Sequence, residues 1–98
     1  MKVKECVSYL RSKNAGPFCM TIDLFFDNRE KFSAAVASES LTEETMNKVY
    51  GVSDAERFVI DDLMVIKFSM SRPFPQGSAH DSDMHAGQQY IRIANLEI

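Results

Sequence analysis

The stretch F-C-M-T-I-D-L-F-F-D, residues 18 to 27, decides the fold, because apolar and polar side chains alternate along it. A period of two places alternate side chains on opposite faces of a strand. The face predicted to be buried carries Phe18, Met20, Ile22, Leu24 and Phe26. The opposite face carries Cys19, Thr21, Asp23, Phe25 and Asp27. The stretch therefore predicts a β-strand that buries one face against a core.

The segment before this strand has helical spacing instead. Its apolar residues recur at i, i+3, i+4 and i+7, as Val3, Cys6, Val7 and Leu10. This spacing predicts an amphipathic helix of about three turns. Asn14 and Gly16 tolerate left-handed geometry and Pro17 cannot continue a helix, so the helix is expected to end there.

Two further helices are predicted after the strand. Asp27 or Asn28 would cap a helix that runs through Phe32 towards Ser40. The next helix is expected to begin after Thr42, with acidic residues in its first turn. Gly51 would end it, with Val52 making the apolar contact of a Schellman motif.

The second half of the chain predicts a hairpin and a last strand. Residues 58 to 60 and the alternating residues 64 to 71 would form the hairpin, turning at Asp61 and Asp62. Ile91 and Ile93 predict a last strand with a bulge. Together these elements predict an α+β two-layer sandwich, in which helices cover one face of a mainly antiparallel, ferredoxin-like sheet.

Composition narrows the class of protein. The chain has 98 residues, of which 45% are hydrophobic and 26% charged, so we expect residues 1 to 98 to form a single soluble domain. No apolar run approaches the roughly 20 residues of a membrane span, so a cytoplasmic location without membrane contact is expected. Cys6 and Cys19 are expected to be reduced. The net charge of -3 argues against a nucleic-acid partner.

The turn R-S-K-N-A-G, residues 11 to 16, is the first candidate site. A guanidinium, an ammonium and polar side chains on one turn suit a carboxylate or phosphate, and glycine lets a ligand approach the backbone. The residues concerned are Arg11, Ser12, Lys13, Asn14 and Gly16. Alternatively, the two cations only stabilise the negative end of the helix dipole.

Two other groups of residues add candidates. Asp23 and Lys67, on the polar faces of neighbouring predicted strands, form either a pair that orients a site or a surface ion pair. Residues 72 to 87 are expected to form a long loop that is either functional or a mobile, solvated connection. The candidate ligand-binding residues in this loop and directly after it are Arg72, Ser78, Asp83, Gln88 and Gln89. His80 and His85 in this loop do not make a complete metal site, so neither a metal nor a cofactor is expected.

Four runs of sequence carry a resemblance to a known family. They are R-S-K-N-A-G-P-F, T-I-D-L-F-F-D, I-K-F-S-M-S-R-P-F-P-Q-G-S and D-M-H-A-G-Q-Q. In this order, over nearly the whole chain, they resemble the bacterial family called domain of unknown function 4387. The family pattern marks Arg11 to Pro17, Asp23, Lys67, Arg72, Pro73, Gly77, Ser78, Asp83, Gln88 and Gln89.

The chain departs from the family pattern in two places. The usual Gly-Ala before the paired glutamines is Ala86-Gly87 here. The segment after the glutamines, usually rich in His, Ala, Pro and Leu, is Tyr90-Ile91-Arg92-Ile93. His80 and His85 do not belong to the pattern, which weakens a catalytic role for either residue.

The resemblance implies a stand-alone domain, often encoded beside a larger acyclic terpene utilisation (AtuA-like) protein. It also implies a layout similar to the ferredoxin-like C-terminal domain of that larger family. We therefore expect a small subunit or accessory domain of a metabolic enzyme that acts on a carboxylate, hydroxy acid or acyl thioester. The alternatives are a free-standing homo-oligomeric lyase or isomerase with shared sites, and a purely structural interaction domain.

Overall fold

The structure is a computed structural model that describes residues 1–16, 18–71 and 90–98. Its helices are α1 (Val3–Cys6), α2 (Arg29–Ala37), α3 (Glu43–Tyr50) and α4 (Ile91–Ala94). Its strands are β1 (Tyr9–Asn14), β2 (Cys19–Phe25), β3 (Glu56–Ile60) and β4 (Val65–Ser71). Short 3-10 turns occupy Glu39–Leu41 and Asp61–Leu63.

The four strands form one sheet in the order β1-β2-β4-β3. Every neighbouring pair is antiparallel, so β1 and β2 form one hairpin and β3 and β4 another. The two hairpins join where β2 pairs with β4. This pairing makes β2 and β4 the central strands of the sheet, while β1 and β3 form its edges.

The helices lie on one face of this sheet, which we call the covered face. Alternate residues of β2, Met20, Ile22 and Leu24, are fully buried there. They join buried side chains of β4 and of all four helices in one hydrophobic core. The predicted α+β sandwich, in which helices cover one face of an antiparallel sheet, is therefore confirmed. That the whole chain is one domain stays a prediction.

The local signals of the middle helices and the hairpin are confirmed. The Asn28 side chain accepts the Lys31 N–H at the start of α2, and the Thr42 hydroxyl accepts the Thr45 N–H at the start of α3. Gly51 ends α3 with a φ of 67°, in the left-handed region that glycine adopts easily. The Asp61–Leu63 turn connects β3 to β4 as predicted.

The predicted three-turn first helix is wrong. Only α1, a single turn, is helical, and the chain from Tyr9 to Asn14 is strand β1. Residues of β1 form six pairs with β2, from Tyr9 opposite Phe25 to Asn14 opposite Met20. The backbone bonds of this hairpin prevail over the local helical spacing, because propensity is a weak preference that tertiary pairing often overrides. The Arg11 to Asn14 run is therefore not the end of a helix.

The predicted last strand is also wrong. Ile91 and Ile93 belong to α4, in which Ile93 is fully buried and Ile91 is half exposed. Beyond α4, Glu97 pairs with Lys2 in an isolated β-bridge and does not extend the sheet. The fourth place in the sheet is taken by β1. No described helix is both long and apolar enough to cross a membrane.

Candidate functional site

The sheet face opposite the helices, which we call the open face, carries the candidate site. Strand register arranges its side chains in rows, one from each strand. The central row contains Arg11, Asp23, Lys67 and Phe58, from β1, β2, β4 and β3 in turn. None of the described helices packs on this face, since their buried side chains all belong to the core on the other side.

Asp23 is the centre of this row. Its side chain is only 1% exposed, although it lies on the open face. Arg11 Nε donates to Asp23 Oδ2 over 2.9 Å, and Lys67 Nζ lies 3.8 Å from Oδ1. A buried carboxylate is stable only where cations or donors compensate it, and here both cations come from the strands that flank β2. The predicted pairing of Asp23 with Lys67 is confirmed as an ion pair.

Arg11 is held in place from two directions. Its guanidinium lies over the Phe25 ring, 5.2 Å from the ring centre, while Nε bonds Asp23. Tyr9 packs against the same Phe25 ring at 5.8 Å. The hydrogen bond between Arg11 and Asp23 uses Nε of the guanidinium and not its two Nη nitrogens. A guanidinium held in this way presents its outer edge to a further acceptor without losing much side-chain freedom.

The rows on either side of the central row differ in chemistry. The row on one side is polar and contains Lys13, Thr21, Ser69 and Glu56, from β1, β2, β4 and β3 in turn. On the other side lies an apolar row made of Tyr9, Phe25, Val65 and Ile60. The open face thus combines a charged centre with an apolar margin.

Strand alternation divides the run that was expected to form one site. Arg11 and Lys13 lie on the open face, where Lys67 joins them through Asp23. Ser12 is buried on the covered side, and its Oγ accepts the backbone N–H of Tyr90 over 3.0 Å. Asn14 shares that side of β1 and is half-buried. The structure therefore places the predicted cations Arg11, Lys13 and Lys67 on one face and separates them from the polar side chains of Ser12 and Asn14.

Gly16 lies in the turn between β1 and β2. Its φ of +106° is unfavourable for residues with a side chain, and no atom lies within 4 Å of where a Cβ would stand. The glycine is therefore required by the turn geometry, and close packing against it is not the reason. The other predicted ligand-binding residues, Arg72, Ser78, Asp83, Gln88 and Gln89, lie outside the described residues, as do Pro17, His80 and His85.

Two side chains of the open face gain importance only from the structure. Thr21 is 8% exposed beside Asp23, and Phe25 supports the Arg11 guanidinium. The alternation of residues 18 to 27 had assigned both to the polar face, but only the strand register shows what they contact. Phe18, predicted to be buried, is 63% exposed because it lies in the turn before β2.

The arrangement has the electrostatics of an anion site. Arg11, Lys13 and Lys67 bring three positive charges to the open face, and Asp23 brings one negative charge to its centre. Glu56 adds a second negative charge at the β3 edge, which leaves an excess of positive charge. An anion would find both excess positive charge and a positioned guanidinium there. Among the described residues no cluster of His, Cys, Asp or Glu is suited to hold a metal ion. Burial raises the pKa of Tyr50 well above its usual range, but Tyr50 belongs to the core.

Comparison with known proteins adds one match. The family model described as Domain of unknown function (DUF4387) matches residues 3–97. No curated protein and no solved structure matches the chain. The match covers every residue of the open face described above.

Proposed function

The chain belongs to the domain of unknown function 4387 family, and on this premise we propose that it is a small subunit of a metabolic enzyme assembly. The larger subunit is an AtuA-like protein of the cytoplasm. The substrate is a carboxylate, a hydroxy acid or an acyl thioester, and this chain holds its anionic group. The chain thereby supplies a binding surface to an active site that the larger subunit completes.

The central row of the open face is the observation that carries this proposal. Asp23 neutralises one positive charge and keeps Arg11 in place through the 2.9 Å bond to Nε. The remaining positive charge of Lys13 and Lys67 is available to a ligand, and both side chains reach solvent. Arg11 offers its Nη edge as a fork for a carboxylate, which is the strongest geometry for such a pair.

The apolar margin of the same face supports the presence of a partner. Tyr9 and Ile60 of this margin are 59% and 39% exposed, and Phe58, at the end of the central row, is 46% exposed. Exposed apolar residues grouped beside a polar site are typical of surfaces that another protein covers. A partner seated on this margin would also exclude water from the cations and so strengthen their hold on an anion.

The anion site is tested by adding butyrate to the isotope-labelled chain and following backbone amide shifts by NMR. We expect the largest shifts at Arg11, Lys13 and Lys67. Lys13→Met is expected to weaken binding about three- to fivefold, because one exposed cation contributes at most about 1 kcal/mol. Lys48→Met, which removes an equal charge from an exposed position on α3, is the matched control. Equal affinities for the two variants would contradict the site.

The subunit assignment is tested by co-expression with an AtuA-like protein. We expect the two chains to co-elute in size exclusion at the mass of a complex. Tyr9→Ser with Ile60→Ser would weaken that complex, whereas Ile91→Ser on α4, an exposed apolar residue away from the open face, would not. Separate elution of the wild-type chains would refute the assignment.

A purely structural interaction domain is the second candidate, favoured by the same exposed apolar margin. It predicts a complex that forms without any effect of Lys13→Met on activity. The small-subunit proposal predicts that this variant lowers activity in the complex. A free-standing homo-oligomeric enzyme would differ from both, because the purified chain alone would turn over substrate as an oligomer.

A further inference from the structure

Two buried oxygen atoms of the open face have no hydrogen-bond partner in the described part of the chain. They are Asp23 Oδ1 and Thr21 Oγ1. The two residues are two positions apart on β2, so their side chains share the open face. Buried polar side-chain atoms in native proteins are nearly always bonded, and exceptions ask for an explanation.

The two oxygens differ in what they require. An ionised carboxylate only accepts hydrogen bonds, so Asp23 Oδ1 needs a donor. Lys67 Nζ is 3.8 Å away, which is too far for a hydrogen bond, while the Arg11 donor already serves Oδ2. The Thr21 hydroxyl both donates and accepts. A ligand that satisfies this pair must therefore carry a donor in addition to its negative charge.

We infer that the anion held by the open face is a hydroxycarboxylate, an inference that rests on the proposed function. The ligand carboxylate binds the Nη edge of Arg11 and the Lys13 ammonium. Its hydroxyl donates to Asp23 Oδ1 and accepts from the Thr21 hydroxyl. Lys67, whose side chain is 37% exposed, swings aside from Oδ1 to admit the hydroxyl and pairs with the ligand carboxylate.

This assignment selects one of the three substrate classes. A simple carboxylate or an acyl thioester without a hydroxyl satisfies the cations but leaves Asp23 Oδ1 without a donor. A site built to bond a hydroxyl discriminates strongly against the analogue that lacks it, because its own polar atoms then stay unpaired. The buried carboxylate is thus the specificity-determining group, and the cations supply affinity.

The test compares matched acids by isothermal titration at fixed ionic strength. The probes are butyrate, 2-hydroxybutyrate and 3-hydroxybutyrate, with each enantiomer measured separately. We expect one hydroxy acid to bind about tenfold more tightly than butyrate, a difference of about 1.4 kcal/mol. Because the acids share their charge and carbon chain, the ratio of affinities reports the hydroxyl contact.

Two variants test whether the preference for a hydroxy acid over butyrate depends on Asp23 Oδ1 and Thr21 Oγ1. Thr21→Val keeps the shape of the side chain and removes its hydroxyl. In Asp23→Asn the amide oxygen stays with the Arg11 donor, which places an NH2 group where Oδ1 accepts. Both variants are expected to bring the ratio of hydroxy-acid to butyrate affinity close to one. Ser33→Ala removes an exposed hydroxyl from α2 and is the control, and amide spectra verify that each variant is folded.

The possible outcomes distinguish a failure of the hydroxycarboxylate inference from a failure of the proposed anion-binding function. If wild-type protein binds none of the acids, the anion site itself is refuted. If it binds butyrate as tightly as the hydroxy acids, only the hydroxycarboxylate inference is overturned. A hydroxy-acid preference that persists unchanged in both Thr21→Val and Asp23→Asn also overturns it, because the hydroxyl would then be recognised elsewhere.

Discussion

At the scale of a single residue, Asp23 has a structural role, to which our proposal adds a role in binding. Its carboxylate is nearly inaccessible to water, so the 2.9 Å bond from Arg11 replaces the hydration that burial removed. Lys67 contributes a longer, purely electrostatic contact of 3.8 Å. The same two cations that would bind a ligand therefore also compensate a buried charge, although Arg11 does so more directly.

The two cations should consequently differ in their effect on stability. Arg11→Met removes a charged hydrogen bond to a buried acceptor and should lower the free energy of unfolding by about 2 kcal/mol. The 42% exposure of the Arg11 side chain keeps this below the cost of breaking a fully buried pair. Lys67→Met should cost only about 0.5 kcal/mol. Urea denaturation measures both, and a larger loss for Lys67→Met would contradict this account of the row.

Strand β3 shows how one element of the sheet holds the helix layer in place. The Arg57 side chain reaches from β3 to the carbonyl oxygens of Val36 and Leu41, at 3.1 and 3.0 Å. Val36 lies in the last turn of α2, where carbonyls lack intrahelical donors and no basic residue of the helix compensates them. The Arg57 N–H donates to Glu43 of α3, which places a carboxylate along the exposed edge of the sheet.

Arg57→Met should therefore destabilise α2 as an element. Losing two bonds from a charged, half-buried donor should cost about 2 kcal/mol and speed amide exchange in the last turn of α2. Lys48→Met, which removes a charge from the exposed side of α3, should change stability by less than about 0.5 kcal/mol. Chemical denaturation combined with hydrogen exchange checks both effects. Unaltered exchange near Val36 would show that Arg57 does not cap this helix.

At the scale of the whole molecule, the residues around α1 form hydrogen bonds with the residues that follow α4. The Val3 N–H donates to the Leu96 carbonyl over 2.9 Å, and Lys2 bridges Glu97. Helix α4 adds Ile93 to the same core that α1 enters through Val3. A core built from both ends of the chain makes the sheet and its helices depend on each other.

Ile93→Ala should consequently destabilise the entire fold and not only α4. Deleting a fully buried isoleucine side chain should lower the free energy of unfolding by about 2–4 kcal/mol, through lost burial and the cavity left behind. Ile91→Ala, in the same helix but 52% exposed, should cost less than about 1 kcal/mol. Thermal and urea unfolding compare the pair. Similar losses for both would mean that α4 is not anchored through Ile93.

Local chemistry explains which parts of the fold could be predicted. The period-two alternation of residues 18 to 27 identified β2, because a pleated strand alone places every second side chain in a core. The cap residues Asn28 and Thr42 located the starts of α2 and α3, and Gly51 the end of α3. Each of these signals acts within a few residues of the chain, so it does not depend on what packs against it.

The site was predictable in part for the same reason. The sequence predicted Arg11 and Lys13 as cations for an anion, and Asp23 and Lys67 as a charge pair. That Ser12 turns to the opposite side of β1 follows only from the strand, which the helical spacing of Val3 to Leu10 concealed. Thr21 and Phe25 entered the site because register placed them beside Lys13 and Arg11.

The sequence by itself thus determined the class of the fold, the central strand β2, and the residues Arg11, Asp23 and Lys67 as charged candidates for a site. Only the tertiary structure decided that Tyr9–Asn14 is a strand and Ile91–Ala94 a helix. The physical reason is that both segments satisfy two local patterns, and pairing with β2 or packing in the core selects between them. The same pairing brings Arg11 and Lys67 to opposite sides of Asp23, which no spacing along the chain specifies.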